Sequence, residues 1–186
     1  MQRPLEDLVH DHRLIERVLA VLEAAEQRLD CGEDVSPDLL EHALTFVRGF
    51  ADGCHHAKEE QGLFPVLADK GPMIKGGPVK VLSADHEAGR KLMRDLEGAI
   101  AAMRAGRAEG RVEAQQAIGL YTQMLRRHIA KEEEVLFRLA EMLISDEEAE
   151  ALEAHFERVE AQTGAHERYE SMVAEMERAL GFGVAA

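Results

Sequence analysis

Apolar residues recur three or four positions apart through four long stretches of the chain, the period of helices with one buried face. Over residues 5–30 the stripe is Leu5, Leu8, Ile15, Leu19 and Leu22. His12 falls on it, whereas His10 sits about 200° round the helix axis. Cys31-Gly32 stops this helix, and Ser36-Pro37 supplies an N-cap and a first-turn proline for the next. The second helix, over about 37–68, presents Leu40, Leu44, Val47, Ala51, His55, Glu59, Gly62 and Val66 inward. The face one residue further round, Thr45, Gly49, Asp52, His56 and Glu60, is far more polar, so the pattern selects His55 with Glu59. DKGPMIKGGP (69–78) reads as a loop. A third helix over 78–105 carries Val79, Leu82, His86, Met93, Leu96, Ile100 and Met103. After a turn bracketed by Gly106 and Gly110, a fourth helix over 111–144 carries Ala114, Ile118, Tyr121, Leu125, His128, Glu132, Val135 and Leu139. Ser145 with Glu148 is a capping-box signature. It opens two shorter helices over 146–180, broken near Thr163-Gly164 and followed by a loose GFGVAA tail.

These elements predict an all-α protein: an antiparallel up-down four-helix bundle over 1–144, with a helical extension over 145–186 that packs on the bundle or in an interface. Helices of 26 to 34 residues span roughly 40–50 Å at about 1.5 Å per residue, so a site partway along such a bundle is geometrically ordinary.

One stretch of the chain is used twice. HHAKEEQGLF (55–64) and HIAKEEEVLF (128–137) agree at seven of ten positions, and each places a His four residues before a Glu. On a helix that spacing aims both side chains at one place. The repeat is longer than the ten residues, because DHRLIERVLAVL from Asp11 is similar to DHEAGRKLMRDL from Asp85. His12 precedes His55 by 43 residues and His86 precedes His128 by 42. A helical hairpin is therefore duplicated, and the two copies would face each other across the bundle axis.

The inward polar groups number six: His12, His55, Glu59, His86, His128 and Glu132. A lone His on an apolar stripe is ordinarily a hydrogen-bonded core residue, and a lone helical Glu is ordinarily solvated. Burying two carboxylates without compensating charge costs several kcal/mol each, so six groups at matched positions of two repeats point to a dinuclear metal centre. Four imidazoles and two carboxylates suit two borderline divalent ions, each with two His, bridged by both carboxylates. No thiolate is among them, which argues against structural zinc or iron–sulfur chemistry; iron, manganese and zinc all remain compatible with the donor set. His56, Glu60 and Glu133 are the alternates if the register is shifted by one. Around this set, Arg90 would hydrogen-bond a bridging carboxylate or form a surface ion pair. Tyr121 is read as core packing or a hydroxyl near bound ligand, and Asp85 as a partner for water at the site mouth. Glu16 is left out, because its repeat counterpart is Arg90. Cys54, beside His55, is read as a small packing residue ahead of a redox-sensing thiol, and His42, His155 and His166 as surface.

Composition narrows the function classes. The net charge of −14 argues against nucleic acid or an anionic membrane as a main partner, and serves solubility. The start, MQRPLEDLVHDH, has no apolar core of a signal peptide, and no stretch reaches the roughly 18 uninterrupted apolar residues of a membrane span. Two cysteines make no disulfide framework. The expected location is the cytoplasm.

From Leu5 to Leu143 the chain resembles the hemerythrin-like family of HHE cation-binding domains, through DHR at 11–13, HHAKEEQGLFP at 55–65, DHEAGR at 85–90 and HIAKEEEVLF at 128–137. The resemblance implies a non-haem di-iron centre, oxo- or hydroxo-bridged, with Glu59 and Glu132 as bridging carboxylates. It is closest to the four-His, two-Glu branch that includes bacterial proteins for repair of iron centres under nitrosative stress, although their additional amino-terminal domain has no counterpart here. The oxygen-carrying members have a fifth His from an HxxxH pair on the third helix; here the positions four from His86 are Leu82 and Arg90. Fewer imidazoles leave open metal positions, which favours reaction with oxygen, nitric oxide or peroxide over reversible carriage. Two further readings are a peroxide- or NO-reactive enzyme and a metal- or redox-state sensor acting through residues 145–186. Oligomeric state is not legible.

Overall fold

The computed structural model describes residues 2–164 and 166–181, and every element among them is helical. Helix α1 is Arg3–Asp30, and α2 runs unbroken over 37–68 from its Ser36 cap, whose hydroxyl accepts from the Asp38 N–H. The segment expected as a loop instead contains a helical turn at Pro72–Ile74 that runs into Lys75–Val79. Gly77, at φ −99° and ψ −108°, breaks it from α3, Lys80–Arg104. Helix α4 covers 109–143, α5 is Asp146–Thr163 behind the predicted Ser145–Glu148 capping box, and α6 is His166–Ala179. Gly164, at φ 96° and ψ 158°, takes a positive-φ backbone that glycine alone adopts readily, and α5 ends there. Of the GFGVAA tail, residues 182–186 lie outside the described residues. No described helix is long and apolar enough to cross a membrane.

Two helices depart from regular winding where the repeat lies. Val47–His56 and Glu59–Leu63 in α2, and Glu132–Leu136 in α4, are wound as π-helix, which fits an extra residue into each turn. Glu59 and Glu132 each open such a segment, at matched positions of the duplication. The extra residue rotates everything after it, so the apolar stripe jumps by one. Val66, Val135 and Leu139, expected inward, are replaced in the core by Leu63, Phe64, Leu67, Leu136, Phe137 and Ala140. Val135 is 48% exposed while Leu136 is fully buried. Leu136→Ala is therefore expected to destabilise by at least about 2 kcal/mol, and Val135→Ala by no more than about 0.5 kcal/mol, measured by urea denaturation. Equal costs would contradict this difference in burial.

Helix α3 packs along α4, α4 along α1, and α2 along α3. Each of these four helices runs between the same two apolar clusters. One gathers Leu5, Leu8, Leu67, Leu82, Phe137 and Ala140; the other gathers Ile15, Leu19, Leu44, Met93, Ile118 and Leu125. The chain reaches the second cluster in α1, returns in α2, and repeats this in α3 and α4. All six inward polar residues fall between the clusters, so hydrocarbon closes the site at both ends.

Helices α5 and α6 lie against α1 and α2. Their presence explains a second buried stripe on α1, Leu14, Val18, Val21 and Ala25, beyond the one expected. Tyr169 and Val173 of α6 join that cluster, and Arg17 binds Glu177 at 2.8 Å. Gly62, expected to face inward, is instead where the extension seats: a Cβ there would lie 2.8 Å from His155 and 3.2 Å from Leu152 and Phe156. His155 and His166, read as surface, are half-buried for the same reason, while His42 is exposed.

Candidate metal centre

The helix period and the duplication bring all six expected residues to one place. None of their side chains is more than 1% exposed. His12 Nε2 lies 3.1 Å from His55 Nε2, and His86 Nε2 lies 3.1 Å from His128 Nε2, so the imidazoles form one pair per hairpin. The carboxylates join the pairs. Glu132 Oε2 is 3.2 Å from His12 Nε2 while its Oε1 is 3.1 Å from His128 Nε2. Glu59 Oε2 is 3.7 Å from His55 Nε2 and 3.4 Å from His86 Nε2. Each carboxylate thus spans one imidazole of each pair.

The outer face of every imidazole is held by a further carboxylate. His12 Nδ1 meets Glu133 at 2.9 Å, His55 Nδ1 meets Asp11 at 3.3 Å, His86 Nδ1 meets Glu60 at 2.7 Å and His128 Nδ1 meets Asp85 at 3.4 Å. The supports cross the duplication: Glu133 of the second copy orients His12, and Glu60 of the first orients His86. Glu60 and Glu133 therefore face Nδ1 atoms, not the centre, and Asp85 serves His128 in place of the water expected. A third layer is cationic. Arg13 grips Glu133 at 2.7 and 2.8 Å, Arg90 binds Glu60 at 2.8 Å, Lys58 binds Asp11 at 3.0 Å, and Lys131 binds Asp85. Arg90 thus supports an outer carboxylate, not a bridging one; Glu16 pairs with Arg13.

This layering dictates tautomers. An Nδ1–H that donates to a carboxylate leaves the lone pair on Nε2, aimed inward, the arrangement that orients metal-bound histidines. Apart from these imidazole nitrogens, the four oxygens of Glu59 and Glu132 have no hydrogen-bond partner among the described residues, though both side chains are fully buried. Buried oxygens without donors, facing nitrogen lone pairs, are what a cation would satisfy. Two groups have donor atoms close enough to hold a metal ion: His12, His55 and Glu132; and His56, Glu59, His86 and His128. His56, expected only as a flanking alternate, enters the second.

Without a cation the centre holds charge as protons. Burial opposes ionisation of His12, but Glu132 and Glu133 outweigh it and raise its pKa to about 9. Burial likewise opposes His128, but Glu132 and Asp85 raise it to about 10. Burial would raise the Glu132 carboxyl, yet His128 and His12 hold it well below the carboxylate range.

A cavity of about 300 Å³ adjoins the His86 side, lined among others by Asp52, His56, Arg90, Met93 and Tyr121. Tyr121 is buried, its hydroxyl has no hydrogen-bond partner among the described residues, and burial raises its pKa. Cys54 is buried as a packing residue and Cys31 is exposed. What sequence reasoning missed is the supporting layer: Asp11 as the partner of His55, and the buried Lys58. The signal was the identity of the flanks in both copies, Asp before His at 11 and 85, and Lys-Glu-Glu at 58–60 and 131–133.

The family profile of the Hemerythrin HHE cation binding domain matches residues 3–140. The chain is 27% identical over 179 residues, 95% of its own length and 69% of theirs, to "Uncharacterized protein Mb2018" of Mycobacterium bovis and "Uncharacterized protein Rv1995" of Mycobacterium tuberculosis. No solved structure matches it.

Proposed function

This chain belongs to the hemerythrin HHE cation-binding domain family, and from that membership we propose that it holds two iron ions and reacts with a small oxidant such as oxygen, nitric oxide or peroxide. His12 and His55 would ligate one ion and His86 and His128 the other, with Glu59 and Glu132 bridging. The observation that carries this reading is Glu132, whose two oxygens each face an imidazole of a different pair, at 3.2 and 3.1 Å. The six groups support a reading within the four-His, two-Glu branch of the family. The alternating passage of α1 to α4 between two apolar clusters supports an antiparallel up-down bundle over 1–144, with 145–186 as a separate extension.

Bound iron would supply the redox chemistry. The chain's own residues orient the imidazoles through four carboxylates, keep bulk water out with hydrocarbon at both ends, and offer a cavity beside His86 sized for small molecules. Manganese or zinc fits the same donors and is the expected substitute. The partner is a diatomic or peroxide, not nucleic acid or membrane, and the setting is cytoplasmic. A second reading, a metal- or redox-state sensor, is favoured by one contact chain: Lys58 joins Asp11, the support of His55, to Glu160 of α5 at 2.6 Å. Any metal-dependent change at His55 would be felt in the extension.

Protein purified from iron-replete cells is expected to carry close to two iron ions per chain and near-ultraviolet bands that shift with azide. Well under one iron per chain would overturn the reading. Metal binding should also compete with protons. His12 and His128 have folded pKa values above the ordinary 6.5, so their protonation stabilises the metal-free fold below about pH 6.5. That contribution is lost as pH rises through about 9 to 10. The metal-free melting temperature should therefore fall from pH 7 to 10 while the loaded form changes less, by scanning calorimetry at each pH. Parallel curves would contradict it.

A further inference from the structure

We infer that His56 is a fifth imidazole of the centre, binding through Nε2 the metal held by His86 and His128. The inference rests on the metal-binding reading above and deepens it. Four observations carry it. His56 is 6% exposed, and its Nε2 has no hydrogen-bond partner among the described residues. Its donor atom and those of Glu59, His86 and His128 all lie within 4.8 Å of one another. Its ring stacks on His86, with centroids 3.8 Å apart and planes 16° apart, so both rings present their edges to the same space. Finally, His56 is built like the other four. Its Nδ1 lies 3.3 Å from Asp52, and Asp52 accepts from Arg90 at 2.8 Å. All five inward imidazoles thus have a carboxylate on Nδ1 and a cation behind that carboxylate, and all five keep the Nε2 lone pair for the interior.

Simple core packing explains His56 less well. The counterpart in the second copy is Ile129, 5% exposed, so the duplicated fold accepts a purely apolar side chain there. A ring nitrogen buried without a partner is destabilising, and a metal ion provides the partner. The backbone differs between the copies too: Val47–His56 is π-wound, whereas the matching part of α4 lies within the regular Glu109–Lys131 helix. The consequence would be an asymmetric centre, held by two imidazoles on the His12 and His55 side and by three on the other.

The test is long-range 1H–15N spectroscopy of the full chain loaded with zinc, a diamagnetic probe in which a metal-bound imidazole nitrogen is distinguishable from a free lone pair. The expected result is five histidines with metal-bound Nε2, one of them assigned to His56 and lost in His56→Gln. That variant should weaken one of two zinc sites by about tenfold or more and leave the other unchanged. Four bound histidines, with a free Nε2 at His56, would overturn this inference and leave the proposed function standing. No bound histidine would overturn the proposed function itself. Unchanged zinc affinity at both sites in His56→Gln would also overturn the fifth ligand.

Discussion

Glu132→Ala is expected to abolish metal loading at both positions, although it removes a single side chain. The reason is geometric. Its two oxygens face His12 and His128, one from each imidazole pair, so each ion would lose a donor and the centre would lose a bridge. Glu59 reaches both halves through one oxygen at 3.4 and 3.7 Å, and cannot replace the second connection. Electrostatics points the same way, because buried imidazoles would then surround two dications with one carboxylate where there had been two. The neighbouring residue provides the control. Of the imidazoles Glu133 meets that of His12, at its outer nitrogen, and loss of such an orienting partner typically weakens metal binding about 10- to 100-fold. Iron per chain after dialysis, compared for Glu132→Ala and Glu133→Ala, separates the two roles. If both lost metal equally, the assignment of Glu132 to the interior would be wrong.

How much of this was legible in the sequence depends on which physical rule placed each residue. His12, His55, Glu59, His86, His128 and Glu132 are legible because a polar residue on an apolar stripe stands out, and because the duplication offers each one a counterpart. The supporting carboxylates stand in plain view as the constant neighbours of those residues, but their role depends on ring orientation, which no spacing encodes. The π-wound turns are not legible at all. Nothing in Glu-Glu-Gln-Gly-Leu or Glu-Glu-Glu-Val-Leu marks an additional residue per turn, and a strict helical period therefore puts Leu139 inside and Phe137 outside, the reverse of the burial found. The exchange of inward residues falls C-terminal to each bridging carboxylate, past the turns wound over Glu59–Leu63 and Glu132–Leu136. His56 escapes a strict period for a related reason: neighbours on a regular helix lie about 100° apart, so a stripe that buries His55 leaves His56 on its flank.

Lys58→Met should be among the most destabilising single substitutions in the chain, at about 3–5 kcal/mol, even though lysine in a charged helix reads as solvated. The side chain is wholly buried and its ammonium bonds Asp7 at 2.7 Å, Asp11 at 3.0 Å and Glu160 at 2.6 Å. Asp11 is itself fully buried, so removing the cation leaves an uncompensated carboxylate beneath His55. Burial opposes charge on Lys58, but Asp11, Asp7 and Glu160 outweigh it and raise its pKa above the ordinary 10.5. Its contribution is therefore complete below about pH 10.5 and is lost only as pH rises through the higher folded value. Burial of Asp11 works against ionisation, yet His55 and Lys58 lower its pKa below 3.8, so that contribution is present above pH 3.8 and lost under acid. Neutral pH therefore reads the full effect. The duplication again supplies the control, since Lys131 makes the equivalent bond to Asp85 with its side chain 40% exposed. Lys131→Met should cost no more than about 1 kcal/mol. The two copies differ because α5 covers Lys58: Glu160 is its third carboxylate, and Phe156 lies with its ring centroid 5.7 Å from the ammonium. Lys58→Met should accordingly speed hydrogen exchange in α5 as well as lower the urea midpoint. A loss under about 1 kcal/mol, or exchange in α5 unchanged, would mean that the extension is held by apolar contacts alone and that Lys58 does not tie it to the centre.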